Sequence, residues 1–254
     1  MARPQKNEKV YIYGKHALEE ALAGNPAVIK KVYLAPELRD HELAEMLATH
    51  KIPTDLLKNG NEMAGRDAVH QGVVALMEPG KLLTQFDDFI ESLEVSEDTA
   101  IAVLGEVQDP HNVGAIIRSA AAFGLSAVLI PERNQAPITG AVVKSSAGMA
   151  FRIPLVSIGN VNHALEVLKK KGFWTYGLDM EGQALGNEGF EKPSAFVIGN
   201  EGAGIREKTL AACDITLAIP MHPRTESLNA AASAGIVFYE WSKKHPASLS
   251  TPSA

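Results

Sequence analysis

Three short strings combine residue types and spacings suited to chemistry: Asp109-Pro-His-Asn-Val-Gly-Ala-Ile-Ile-Arg-Ser119, Ile198-Gly-Asn-Glu-Gly-Ala-Gly204, and Ile219-Pro-Met-His-Pro-Arg-Thr-Glu-Ser-Leu-Asn229. Each begins where an apolar run gives way to Gly, Asn or Pro, which is how a strand of an α/β sheet ends in a loop that offers backbone groups to a ligand. The polar side chains gathered there are Asn112, Arg118, Asn200, Glu201, Ser227 and Asn229.

Several familiar chemistries do not fit. After Ile198 the glycines fall at 199, 202 and 204, which is not the G-x-G-x-x-G of a dinucleotide fold, and no G-x-x-x-x-G-K-[ST] occurs. The eight histidines and the single Cys213 show no metal-ligand spacing, so no metal is expected. No serine sits in a G-x-S-x-G elbow. One cysteine cannot make an internal disulfide, and it is read as a small buried hydrophobe in a reducing compartment. The N-terminus lacks the apolar core of a signal peptide, and no run reaches the roughly 18 apolar residues a membrane helix needs. The expectation is a soluble, cytoplasmic protein with no membrane association.

A net charge of −6 at first argues against nucleic acid. Its distribution changes the argument: residues 81–100 hold six acids (Asp87, Asp88, Glu91, Glu94, Glu97, Asp98) and one Lys, so most of the excess lies in one stretch. Lys30-Lys31, Lys169-Lys170-Lys171 and scattered Arg118, Arg133, Lys144, Arg152 and Arg224 leave room for a local phosphate-facing surface.

The elements that must position these residues follow from periodicity. Residues 1–78 read as a small α/β domain, with strands near 10–13, 31–34, 53–57 and 72–77 and helices over 16–23, 37–49 and around 61–68. Residues 79–98 read as an acidic linker containing an amphipathic helix (Leu82, Leu83, Phe86, Phe89, Ile90, Leu93). From residue 99 to 245, short apolar runs at 101–104, 127–130, 174–178, 195–198 and 215–219 alternate with helical patterns at 113–123, 140–147, 161–171 and 228–243, as in a buried parallel sheet. The Ser/Pro/Ala tail 246–254 reads as disordered.

Taken together, D-P-x-N-x-G-A-x-x-R-S-A, I-G-x-E-G-x-G and I-P-M followed by S-L-N resemble the three motifs of the SpoU/TrmH branch of the SPOUT methyltransferases. Upstream, Tyr13-Gly-Lys-His-Ala-Leu-Glu-Glu-Ala-Leu22, Val32-Tyr-Leu34 and His70-Gln-Gly-Val-Val74 resemble the RNA-binding domain, similar to ribosomal protein L30e, of members acting on 23S rRNA. The resemblance covers about residues 10–243. It implies an α/β protein with a C-terminal parallel-sheet domain tied in a trefoil knot, a rare exception to ordinary topology. The small residues Ala230-Ala-Ala-Ser-Ala-Gly235 permit such close approach.

The resemblance also implies a homodimer that moves a methyl group from S-adenosylmethionine to a ribose 2′-hydroxyl of RNA, with a guanosine of 23S rRNA as the expected target. A tRNA ribose methyltransferase and a non-catalytic rRNA-binding assembly factor are the alternatives. Carried over residue by residue, the cofactor lies against Gly199, Ile219 and Leu228, with Asn200, Gly202, Pro220 and Met221 alongside. Asn112, Arg118, Glu201, Ser227 and Asn229 form the catalytic set. Arg118 is expected to clamp RNA phosphate, since its very high pKa makes it a poor free base, and Glu201 is placed to pair with it. Ser227 and Asn229 also suit a helix N-terminus, and His111 is a weaker candidate for a direct role. The chain departs from the family pattern at Met221-His-Pro-Arg-Thr-Glu226 and at Ala230-Ala231, where Pro223 stiffens a loop and Arg224 adds charge, which bears on the RNA site recognised.

Overall fold

Alternating short apolar runs and amphipathic helices build two sheets. The computed structural model describes residues 9–58 and 70–250, so the helix expected around 61–68 and residues 251–254 of the tail lie outside the described residues. In chain order the elements are β1 (Val10–Tyr13), α1 (Lys15–Gly24), β2 (Ile29–Leu34), α2 (His41–Thr49), β3 (Thr54–Leu56), β4 (Val73–Met77), β5 (Leu83–Gln85), α3 (Phe86–Ser92), β6 (Ala100–Gly105), α4 (Pro110–Ala122), β7 (Ala127–Pro131) and α5 (Gly140–Ser145). There follow β8 (Leu155–Ile158), α6 (Val161–Lys170), β9 (Trp174–Ala184), β10 (Ser194–Gly199), α7 (Glu207–Leu210), β11 (Ile215–Ala218) and α8 (Ala230–Lys244).

The first unit comprises residues 1–82 and 138–152. Its sheet runs β1-β4-β2-β3, antiparallel at β1·β4 and β2·β4 and parallel at β2·β3. Helix α1 buries Leu18, Ala21 and Leu22, a three-and-four spacing that makes one apolar stripe, and the sheet of the same unit buries Ile12, Val32, Val73 and Val74. Helix α2 starts later than the periodicity suggests because Asp40 caps it, its Oδ1 accepting from the Leu43 N–H at 3.0 Å. The Lys15 ammonium, 2.6 Å from Asp40, is the main reason that carboxyl is held below its ordinary range.

Residues 138–152 stand among the second-half elements in sequence yet pack within this first unit. Arg152 Nε lies 2.6 Å from Glu20 Oε2, and Lys144 Nζ sits 5.6 Å from the centre of the Tyr13 ring. A Cβ on Gly140 would stand 2.3 Å from the Tyr11 carbonyl oxygen, so only glycine permits that approach.

The second unit comprises residues 83–137 and 153–254. Its seven described strands run β11-β9-β10-β6-β7-β8-β5, and every pairing is parallel. Strand residues such as Ile101, Val103, Leu129, Val156 and Val197 pack with Phe89 and Ile90 of α3 and Ala164, Leu165 and Leu168 of α6. Helix α4 buries Val113, Ile116, Ile117 and Ala120, and α8 buries Ala234, Val237, Phe238 and Trp241. A parallel sheet buried on both faces explains why its strands read as continuous apolar runs.

Four expectations change. Strands β5 and β8 were not foreseen, because three half-polar residues and four residues bracketed by Pro154 and Gly159 are too short to carry a periodicity. The stretch expected as a linker contributes β5 and α3, since its apolar stripe is buried against the second unit's sheet. Strand β9 continues to Ala184. The expected disordered tail begins instead with a 3-10 turn over Pro246–Leu249, following a buried His245 whose ring nitrogens lie 2.9 Å from Asp98 Oδ1 and 3.0 Å from the Phe190 carbonyl. Cys213 is half-buried, its thiol against the Thr209 carbonyl, and burial pushes its pKa up to about 12.

The close approach at Gly140 is testable by substitution. Gly140→Ala is expected to lower the unfolding free energy by about 2 kcal/mol, as overpacked sites do. Gly159→Ala, where a Cβ meets nothing within 4 Å, should change it by less than about 0.5 kcal/mol. Chemical denaturation of the two variants beside the parent measures both, and a Gly140→Ala protein as stable as the parent would contradict the packing.

Candidate active site

Strand β10 ends at Gly199 and the chain folds at once into a tight loop. Asn200 and Gly204 exchange backbone hydrogen bonds of 3.0 Å each, while Asn200 Oδ1 accepts from the N–H groups of Gly202 (2.9 Å) and Ala203 (3.0 Å). A Cβ on Gly199 would stand 2.4 Å from the Gly204 carbonyl carbon, so the loop closes only over glycine. Asn200 Nδ2 donates to the Glu106 carbonyl at 2.9 Å, fastening this loop to the one that follows β6.

Glu201 makes the second fastening. Its Oε1 accepts from the Asp109 N–H (3.1 Å) and from Asn112 Nδ2 (2.9 Å), and its Oε2 accepts from the Gln108 N–H (3.2 Å). The carboxylate thus sits where α4 begins, the end of a helix that favours negative charge. Burial pushes its carboxyl up, but hydrogen bonds from Asn112, from its own backbone and from Asp109 and Gln108 outweigh this and hold it below the ordinary value.

From Asn112 the connection continues to the third motif. Asn112, 8% exposed, accepts at Oδ1 from Asn229 Nδ2 at 2.9 Å, and Asn229 Oδ1 caps α8 by accepting from the N–H groups of Ala231 (2.9 Å) and Ala232 (3.2 Å). Each amide orientation follows from the last: an ionised carboxylate only accepts, so Asn112 must offer its NH2 to Glu201 and its oxygen to Asn229. One directional chain of bonds therefore runs through all three motifs.

Beside this chain lies a cavity of about 310 Å³. Ile198, Leu217, Ile219, Met221 and Leu228 give it apolar walls, residues 199–205 give it backbone, and Leu178, Asp179, Met180, Ser227, Ala230 and Ser233 complete it. Its side-chain charges are the carboxylates of Asp179 and Glu201, with no Lys, Arg or His among the lining residues. Apolar walls, loop backbone and a negative rim suit a ligand with a flat heterocycle and a positive charge, and disfavour one carrying phosphates.

Of the expected cofactor residues, Gly199, Asn200, Gly202, Ile219, Met221 and Leu228 line this cavity. Pro220 lines a second cavity of about 460 Å³ that shares Met180, Ile219 and Met221 with the first. Of the expected catalytic residues, Glu201 and Ser227 line the first cavity, and Asn112 and Asn229 brace it through the chain of bonds. Arg118 lies on the exposed side of α4, outside the lining, and among the described residues makes no hydrogen bond or ion pair. The expected Glu201–Arg118 pair is not formed, because the α4 N-terminus and Asn112 occupy the carboxylate instead. The His111 backbone N–H bonds to Asp109 Oδ1 at 2.8 Å, and Pro223 and Arg224 are exposed in the loop before α8. Asp179, Met180 and Ser233 were not anticipated as lining residues. Among the described residues no His, Cys, Asp and Glu group could hold a metal ion, and no helix is long and apolar enough to cross a membrane.

Comparison with known proteins gives a consistent result. Residues 99–239 match the SpoU rRNA Methylase family, and residues 11–82 match the family described as RNA 2′-O ribose methyltransferase substrate binding. The chain is 35% identical to the 23S rRNA (guanosine-2′-O-)-methyltransferase RlmB of Neisseria meningitidis, over 90% of this chain and 93% of that protein. It is 33% identical to the protein of the same name from Pseudomonas putida, over 90% and 94%. Among solved structures, the SpoU methyltransferase AviRb from Streptomyces viridochromogenes, determined in complex with the cofactor AdoMet, superposes with a TM-score of 0.78 at 23% identity, covering 94% of this chain and 91% of that one. With a family match over more than half its residues, and these relatives spanning nearly its whole length, the chain belongs to the SpoU rRNA methylase family.

Proposed function

We propose that this chain transfers a methyl group from S-adenosylmethionine to the 2′-hydroxyl of a guanosine ribose in 23S rRNA, acting in the cytoplasm as a homodimer. The observation that carries the reading is the convergence of the three motifs: Asn112, Glu201 and Asn229 bind one another beside a single cavity with apolar walls and a negative rim. At about 310 Å³ the cavity falls at the lower end of small-molecule sites, large enough for a nucleoside with an amino-acid extension. When bound, the cofactor supplies an electrophilic methyl on a positively charged sulfur.

The protein's part is alignment. Ile219, Met221 and Leu228 hold the adenine, and the loop 199–204 presents backbone groups to the ribose and methionine portions. Glu201 already accepts three hydrogen bonds, so it acts as a positioning residue that fixes α4 and the loop after β10, rather than as a base. Ser227 orients the target ribose. Arg118, unpaired among the described residues, clamps an RNA phosphate and so would help hold the 2′-oxygen near the cofactor, one part of an alignment whose whole contribution reaches about 7 to 11 kcal/mol in favourable systems. Because Arg118 lies outside its own chain's cavity lining, the proposed dimer brings it to RNA bound at the partner's cavity; exposed Ile236 and Tyr239 on α8 offer apolar surface for such an assembly.

Residues 1–78, as an L30e-like domain, are proposed to grip the RNA, and this favours rRNA over tRNA as substrate. Residues 99–137 and 153–245 form the methyltransferase domain of this proposal, with the trefoil knot that the family resemblance implies.

Purified protein incubated with labelled S-adenosylmethionine and unmodified 23S rRNA should yield a 2′-O-methylguanosine on mapping. Absence of transfer to any RNA would contradict the proposal. Arg118→Ala should lower kcat/KM by at least about 100-fold while calorimetric affinity for S-adenosylmethionine stays within about twofold, since a group acting on RNA alone is removed. Mixing Arg118→Ala with a cavity-blocked Leu228→Trp chain should restore activity, and a mixture no more active than either variant alone would contradict a site shared between subunits.

Glu201 makes a pH prediction. Its folded pKa is depressed, so its stabilising contribution is complete above the ordinary glutamate value of about 4.3 and is lost as pH falls through the lower folded value. S-adenosylmethionine affinity should therefore fall in that acid range for the parent, and Glu201→Gln should be weaker at pH 7 and show less of this acid dependence.

A further inference from the structure

The second carboxylate of the cavity is placed by a feature that no motif announces. Strand β9 pairs with β11 at Tyr176↔Ile215 and Gly177↔Thr216, and the next pairs are Gln183↔Leu217 and Ala184↔Ala218. Residues 178–182 are thus inserted between two partners that are consecutive on β11. An excursion of this kind re-aims side chains and is found beside active sites. Here it carries Leu178, Asp179 and Met180 into the cavity wall, leaving Met180 63% exposed.

The two carboxylates of the cavity differ in what remains free. Glu201 is occupied by Gln108, Asp109 and Asn112. Asp179 accepts at Oδ1 from the Glu181 N–H at 3.0 Å, and among the described residues its Oδ2 takes no hydrogen bond. With no Lys, Arg or His lining the cavity, Asp179 is the charge there with the greater acceptor capacity to spare, one bond accepted against three at Glu201. Asp179 is itself exposed, so a cation meets it at the cavity's rim, where the free carboxylate oxygen is open to a charge-assisted contact.

We propose that Asp179, displayed by the β9 excursion, recognises the positive charge at the methionine end of S-adenosylmethionine. The inference rests on the methyltransferase reading above. It assigns to this residue the selection of the charged methyl donor over uncharged adenosine thioethers.

Three ligands separate the charges. S-adenosylmethionine carries sulfonium and ammonium, S-adenosylhomocysteine keeps only the ammonium of these, and 5′-methylthioadenosine has neither. Calorimetric titration of the full-length protein and of Asp179→Asn, each checked by thermal melting, should show S-adenosylmethionine weakened about tenfold, equivalent to ~1.4 kcal/mol. The affinity for 5′-methylthioadenosine should stay within about twofold. An equal loss for S-adenosylhomocysteine assigns the contact to the ammonium and no loss assigns it to the sulfonium; either supports the proposal. Unchanged S-adenosylmethionine affinity, or the same loss for all three ligands, overturns it. Asp179→Ser serves should the asparagine variant fail to fold, and Asp179→Glu should recover part of the affinity. If the parent protein binds none of the three, the methyltransferase reading itself fails, a result distinct from loss of selectivity in the variant.

Discussion

The second unit's chemistry depends on one contact: the Glu201 carboxylate set against the N–H groups of Gln108 and Asp109 just before α4 and passed on, through the buried Asn112, to Asn229 at the start of α8. The first N–H groups of a helix lack intrahelical partners and attract negative charge. Here the turn leading into α4 is held by a carboxylate 92 and 93 residues further along the chain, while Asn112 is joined to Glu201 across 89 residues and to Asn229 across 117. Because each amide in the series has a forced orientation, loosening Glu201 or Asn229 leaves the buried Asn112 amide without a partner. Such groups are costly when orphaned, so the arrangement resists partial opening.

The sheet makes that contact possible. Strands β10 and β6 are parallel neighbours in register from Ser194↔Ala100 to Gly199↔Gly105, so the loops after Gly105 and Gly199 leave the same edge side by side. Neighbouring parallel strands send their C-terminal loops into a common space, which is where α/β proteins bind ligands. Strand β11 pairs with β9, the other neighbour of β10, and its following loop supplies Ile219, Met221 and Leu228 to the same cavity. The apolar walls and the polar chain are therefore two products of one strand order.

Much of this was legible in the sequence because it is local. Gly199 after Ile198 announces a strand end within a residue, and the helices expected over 113–123 and 228–243 are present but run over Pro110–Ala122 and Ala230–Lys244, because Asp109 and Asn229 cap them. What was not legible depends on pairing between distant segments. The excursion of β9 exists only relative to β11, so Asp179 looks like any surface acid in sequence. The short strands β5 and β8 gain their identity from neighbours, and residues 138–152 join the first unit through Gly140, Lys144 and Arg152, whose partners Tyr11, Tyr13 and Glu20 lie more than a hundred residues earlier. The Glu201–Arg118 pair failed for a related reason: charge complementarity in sequence takes no account of a helix N-terminus competing for the carboxylate.

The central claim, that one continuous chain of bonds makes the three motifs a single site, is tested most directly by a double-mutant cycle. Affinity for S-adenosylmethionine would be measured by calorimetry for the parent, Glu201→Gln, Asn229→Ala and the double variant. The account predicts that the two losses overlap, with a coupling energy of about 1 kcal/mol or more, as for residues in one hydrogen-bonded network. Losses that add within about 0.3 kcal/mol would show the motifs acting independently and would contradict it.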